Sequence, residues 1–166
     1  MPNDDGASID APHPCSPARS PLPALASFDL KGCRGGRFRA QAITSHTPQP
    51  GDIVSCYFPF DESPKRPGPR PRPGLVMGLR HDAAILFLDV AYGTSQCVEE
   101  LQPPDLAVLA EEDWKKAGLH MPTKFVIGRR RMLPYVHGFF RAEKRGSPIL
   151  GSLPAPTLEN HSGRTT

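Results

Sequence analysis

The chain has 166 residues, a length that suits one domain with room for tails. Its 21 prolines and 15 glycines argue against long helices and for strands, turns and disordered ends. A net charge of +3 tolerates an anionic partner without requiring one, and no apolar run is long enough for a membrane-spanning helix.

Residues 1–47 mix Pro, Ser, Ala, Asp and Arg with no sustained period of 2 or 3.6. Such a segment buries too little apolar surface to offset its ordering entropy, so it reads as a disordered tail. Within it, KGCRGGRFRA (Lys31 to Ala40) is basic and Gly-rich, as flexible RNA-contacting segments are. Residues 48–151 read as the folded domain and 152–166 as a second tail. Pro48-Gln49-Pro50-Gly51-Asp52 punctuates the entry.

The first strand is expected over Ile53 to Phe60. Val54, Cys56, Phe58 and Phe60 form its purer apolar face, and Ile53, Ser55, Tyr57 and Pro59 point the other way. A loop follows from Asp61 to Pro73. Pro64, Pro67, Pro69, Pro71 and Pro73 forbid a regular helix there. Lys65, Arg66, Arg70 and Arg72 hang from this loop, and for Lys65 and Arg66 a solvated surface is the simplest reading. Asp61 and Glu62, at its mouth, either orient Arg72 or sit at an exposed edge.

Gly74 to Arg80 reads as the second strand, with Leu75, Met77 and Leu79 on one face. Arg80-His81-Asp82 reads as a turn, and Ala83 to Tyr92 as a third strand buried on both faces. Asp89 interrupts that run, so it is paired, at an edge or toward solvent. If the two strands form an antiparallel hairpin, Gly74 and Tyr92 are near partners. Arg72 and Thr94 then share one rim, with Ser95 beside them.

Pro103-Pro104 opens a linker into a short helix. Glu111, Glu112 and Asp113 lie in its first turn, Lys115 and Lys116 in its last, and Gly118 follows as a C-cap signal. Trp114 and Leu119 are its expected anchors. Phe125 to Ile127 reads as a short strand, Arg129 to Arg131 as a basic cluster, and Leu133 to Tyr135 as a strand or turn. Phe139 and Phe140 are expected in the core, with a last contact from Ile149 and Leu150.

Cys15, Cys33, Cys56 and Cys97 form no CxxC pair, and no histidine stands at a zinc-like spacing from them. No metal or cofactor is therefore expected. Cys56 and Cys97 read as small apolar packing groups. The first residues lack an apolar signal core, so a reduced, cytoplasmic protein is expected. The six histidines read as structural or solvated.

A guanidinium beside a hydroxyl suits a phosphodiester. Arg grips phosphate oxygens as a fork and stabilises charge that develops on them, while a hydroxyl holds a non-bridging oxygen. In RNA the substrate's own 2′-OH can be the nucleophile. Arg129, Arg130 and Arg131, with Lys124 and Arg141, either line an RNA groove with Tyr135 or Phe139 as a stacking platform, or form a solvated basic strand end.

Three runs taken together, GDIVSCYFPF, PRPRPGLVMG and AAILFLDVAYGTS, resemble the PemK/MazF family of toxin endoribonucleases. GLHMPTKFVIGRRRMLPY resembles a downstream segment of PemK-like members, so the similarity spans roughly residues 51 to 151. The resemblance implies a mainly β fold, a small SH3-like β-barrel with one or two short helices, usually as a homodimer. It implies metal-independent cleavage of single-stranded RNA, restrained by a cognate antitoxin. Arg72 matches the family's Arg before Pro and would stabilise charge. Thr94, with Ser95 as neighbour, matches its hydroxyl. Arg70, Lys65, Arg66, Arg129, Arg130 and Arg131 would bind substrate. Gly74 stands where the family more often has Ala, and Tyr92-Gly93 replaces its usual apolar or Pro residues. The alternative is the same barrel without catalysis, as an RNA- or protein-binding module.

Overall fold

The computed structural model describes residues 21–29, 41–82, 85–143 and 146–153. The fold is mainly β. Six strands, β1 (Asp52–Cys56), β2 (Arg72–Asp82), β3 (Ile85–Thr94), β4 (Leu106–Val108), β5 (Thr123–Pro134) and β6 (Ile149–Ser152), form one sheet. Every pairing in it is antiparallel, in the order β4-β5-β3-β2-β1-β6. One short helix, α1 (Glu111–Lys116), links β4 to β5.

β4 and β6 are the sheet's edges and do not pair with each other, so the sheet is open, not the closed barrel that the resemblance implies. The gap is spanned by the end of α1. Its C-terminus is a Schellman turn: Gly118 N–H donates to the Lys115 carbonyl and Leu119 N–H to the Trp114 carbonyl. Gly118 sits at φ +73°, where a side chain is strained, and a Cβ there would overlap the Leu150 carbonyl of β6. Gly151 meets the Ala117 carbonyl as closely from the other side. Backbone-to-backbone contact of this kind leaves no room for anything but glycine.

Both faces of the sheet are buried. The first face carries Val54, Cys56, Val76, Leu88, Val90 and Leu133, covered by Phe58, Phe139 and Phe140. The second carries Ile53, Leu75, Ala91, Phe125 and, from β4, Leu106 and Val108, covered by Leu119 and Trp114. Ile53 and Ser55 are therefore as buried as Val54 and Cys56, whereas Phe60 is 53% exposed because β1 stops at Cys56. The turn expected at Arg80-His81-Asp82 is instead the end of β2, paired to Phe87, Leu86 and Ile85. A register shift between Val76 and Gly78 reverses the alternation, so Leu79 packs on the first face while Leu75 and Met77 pack on the second. Phe125–Ile127 and Leu133–Pro134 belong to one long strand.

The first-face core also draws in residues that the composition assigns to the N-terminal tail. Phe28 stacks edge-on against Phe139 at 5.4 Å, and Ile43 N–H donates to the Tyr135 carbonyl at 3.1 Å. Residues too sparse in apolar groups to fold alone still bury single ones against a preformed sheet. At the other end Leu153 is buried, its N–H donating to the Gly51 carbonyl. Lys31 to Ala40 and residues 154–166 lie outside the described residues. No helix among the described residues is long and apolar enough to cross a membrane.

Candidate nucleic-acid interface

The β2–β3 hairpin sets the site. Gly74 pairs with Tyr92, as expected, but through a β2 that runs on to Asp82 and leaves Met77 unpaired; continuing that register by two residues leads Arg72 toward Thr94. The four side-chain positions share the first face, at the hairpin's open end. Two glycines allow the strands to approach. A Cβ on Gly74 would overlap Val90 Cγ1 and meet Cys56 Sγ at 2.9 Å; one on Gly93 would overlap the Pro73 carbonyl and meet Phe125 Cε1 at 3.0 Å. The two departures from the family pattern are thus what this sheet's own packing requires.

Arg72 is exposed, and its guanidinium lies 5.8 Å from the Tyr92 ring centroid. Among the described residues no carboxylate lies within ion-pair distance of it, so Asp61 does not orient Arg72. The Thr94 hydroxyl oxygen accepts the Gln96 N–H at 3.1 Å. With an acceptor position taken by its own turn, the hydroxyl keeps its proton for an outside acceptor. Ser95 is exposed in that turn.

The turn is held from beneath by Lys124. This lysine pairs with Thr94 across β3 and β5 and is buried, its ammonium donating to the carbonyls of Cys97 (2.9 Å) and Glu100 (2.8 Å). It is a structural clamp, not part of an open groove. Cys97 is exposed at φ +48°, not packed as an apolar group.

Arg129, Arg130 and Arg131 do not form a strand end. They lie inside β5, immediately after an irregularity: Ala91 pairs with Arg130 but Tyr92 pairs with Val126, so Ile127, Gly128 and Arg129 have no partner on β3. The Asp105 carboxylate accepts the Ile127 N–H freed there, at 3.2 Å. Strict alternation from Phe125 and Ile127 would carry Arg129 to the second face. The extra residues return it to the first, where its guanidinium sits 4.4 Å from the Tyr92 centroid and 5.8 Å from Phe58.

Phe58 and Tyr92 pack 5.2 Å apart, so one aromatic pair carries two guanidiniums, Arg72 and Arg129. Asp61 reaches Arg131 at 2.8 Å and Arg129 at 3.4 Å. Arg130 faces the other way and pairs with Asp89 at 3.5 Å. Burial raises the Asp89 carboxyl above its ordinary value, and Arg130 offsets part of that rise.

The other expected contacts fall elsewhere. Arg66 donates through Nη2 (2.8 Å) and Nε (3.1 Å) to the one Oδ2 of Asp29, and Asp29 N–H donates to the Lys65 carbonyl, so this part of the loop is fastened to the N-terminal segment. Gly68 N–H donates to the Tyr57 carbonyl, docking the loop's middle on the sheet. Arg70 is exposed. Tyr135 and Phe139 are buried, so neither offers a stacking surface; Arg141 pairs with Glu143. Sequence reasoning missed Tyr92 and Phe58 as the aromatic platform, because an alternating strand pattern marks them only as core.

No family model and no curated protein matches this chain. Among the described residues no group of three or more His, Cys, Asp or Glu could hold a metal ion.

Proposed function

We propose that this chain is a toxin-type endoribonuclease that cleaves single-stranded RNA without metal, through the substrate's own 2′-OH, on a sheet curled in the SH3-like manner. One observation carries the reading: the register that pairs Gly74 with Tyr92 leads Arg72, which has no carboxylate partner among the described residues, toward Thr94, whose hydroxyl oxygen accepts the Gln96 N–H. The 2′-oxygen attacks the adjacent phosphorus and loses its proton to solvent at the open rim. The bond to the 5′-oxygen breaks, that oxygen takes a proton, and a 2′,3′-cyclic phosphate remains. Arg72 stabilises the charge on the phosphorane oxygens, and Thr94 donates to one of them. Ser95 and Arg70 flank the rim. The reading brings with it a cognate antitoxin, a homodimer and a cytoplasmic setting.

The test is purified protein with single-stranded RNA in EDTA. Wild type yields cyclic-phosphate ends, and Arg72→Ala slows cleavage by about 100-fold or more. Intact RNA with wild type, or equal cleavage by the variant, rejects the reading. A binding module without catalysis is the second reading. It is favoured by the rim's contacts, which among the described residues are cationic, aromatic and hydroxylic, with no histidine for proton transfer. Retained RNA binding with no cleavage would select it.

A further inference from the structure

The Asp61 cluster is satisfied incompletely. One carboxylate serves two guanidiniums and is bidentate to neither: Oδ1 takes a single hydrogen bond from Arg131, and Oδ2 stands 3.4 Å from Arg129. The Nε atoms of both arginines are buried and lack any acceptor. Such donors, next to a half-used fork, suit an anion with more oxygens than a carboxylate has.

The cap itself is weakly held. Asp61 lies on a turn closed by Ser63 N–H donating to the Phe60 carbonyl, and its side chain is 56% exposed. An ion pair so exposed stabilises little and exchanges easily. Arg129, by contrast, also lies against Tyr92 and Phe58, contacts that do not involve Asp61. The cation side of the cluster has a second support and the anion side has none beyond its exposed turn. That asymmetry is what a site needs if its resident carboxylate is to be exchanged for a ligand.

We infer that Arg129 and Arg131 form a phosphate-binding subsite that Asp61 caps in the free protein. On the RNA reading proposed above, its ligand is a backbone phosphate neighbouring the one held by Arg72 and Thr94. The shared Tyr92 ring links the two positions, since Arg72 and Arg129 both lie against it. Asp61 occupies the place of the phosphate oxygens and leaves as the strand enters.

The experiment follows the Nε–H resonances of Arg129 and Arg131 in nitrogen-15-labelled full-length protein during titration with inorganic phosphate. Asp61→Asn keeps the size of the cap and removes its charge. It half-saturates at a phosphate concentration about threefold to fivefold lower than wild type. Arg131→Lys, which keeps the charge but not the fork, abolishes the gain in the Asp61→Asn background. Equal half-saturation for wild type and Asp61→Asn, or a gain that persists with Arg131→Lys, overturns the subsite. A second arm measures a 2′-O-methyl single-stranded oligonucleotide by anisotropy. Phosphate binding enhanced in Asp61→Asn without oligonucleotide binding leaves the subsite standing and removes the RNA reading. Oligonucleotide binding without a phosphate effect removes the subsite alone.

Discussion

On the second face of the sheet, Ile53, Leu75, Ala91 and Phe125 lie beneath the end of α1 among apolar side chains. On the first face the same strands run out, at their open end, into Arg72, Tyr92, Thr94 and the Arg129–Arg131 pair on Asp61. One hairpin therefore supplies a sealed core on one side and an unsealed rim on the other. The sealed side is apolar beneath α1, and its polar groups are partnered: Ser55 donates to Glu143 and Asp89 pairs with Arg130. The rim is finished with aromatic rings, and their faces accept cations without neutralising them. Arg72 is held in this way against Tyr92 with no carboxylate partner among the described residues, whereas Arg129 shares the same ring and is also paired to Asp61.

Breaking the sealed side has the largest effect. Phe125 is fully buried between β4 and the end of β3. Phe125→Ala is expected to destabilise the fold by about 3–5 kcal/mol, from lost transfer energy and the cavity left behind. Urea denaturation measures it. Phe60→Ala, on the exposed side, is expected to stay within about 0.5 kcal/mol of wild type.

Gly93 joins the two sides, since it lies on the second face one residue from Thr94. Gly93→Ala forces a methyl into the Pro73 carbonyl and toward Phe125, and β2 and β3 must separate. The expected cost is about 1–3 kcal/mol. If the rim acts on RNA, cleavage falls by more than the loss of folded protein accounts for, because the separation draws Thr94 away from Arg72. Loss of activity in proportion to folded protein would confine Gly93 to packing.

How far these features can be read from sequence depends on which forces are local. That β2 and β3 form an antiparallel hairpin follows from two adjacent apolar runs, whereas the register that pairs Gly74 with Tyr92 depends on β2 reaching Asp82 and on its irregularity between Val76 and Gly78. The helix at Glu111–Lys116 follows from its charges and from Gly118. The positions of Arg129 and Leu79 do not follow, because each depends on a register irregularity set by a neighbouring strand. Phe28 and Ile43 were illegible for another reason. Their segments have no periodicity, and they are buried only because the sheet offers them a surface. The Asp61 contacts join a turn to β5, 70 residues away, and no local pattern signals them.

Cys56, the cross-strand partner of Arg72 on β1, tests the first face beneath the rim. It is buried, and desolvation pushes its thiol from 9.0 up to about 12. In the unfolded chain the thiol loses its proton from about pH 9, while in the fold it keeps it. The stability contributed is therefore present below pH 9 and falls as pH rises toward 12, by up to about 1.4 kcal/mol per unit. Unfolding free energies between pH 9 and 10 should decline in wild type and flatten in Cys56→Ala.

The smallest effect is the sharpest test, because it compares neighbours on one strand. Arg130 pairs with Asp89 on the opposite face from Arg129, and its side chain is 48% exposed. Arg130→Ala leaves a half-buried carboxylate with less compensation, but solvent screens the pair, so the loss is expected to stay below about 1 kcal/mol. The removed charge also stops lowering the Asp89 carboxyl, which then titrates still higher. Acidification below neutrality should thus cost the variant less stability than it costs wild type. RNA binding should be nearly unaffected by Arg130→Ala, beyond a general loss of one positive charge. Arg129→Ala should instead weaken binding and reduce its salt dependence by roughly 0.7 in logarithmic slope, one phosphate contact's share. If the two variants weaken binding equally, the first-face rim has no special claim on the ligand, and the net charge of the strand is what RNA senses.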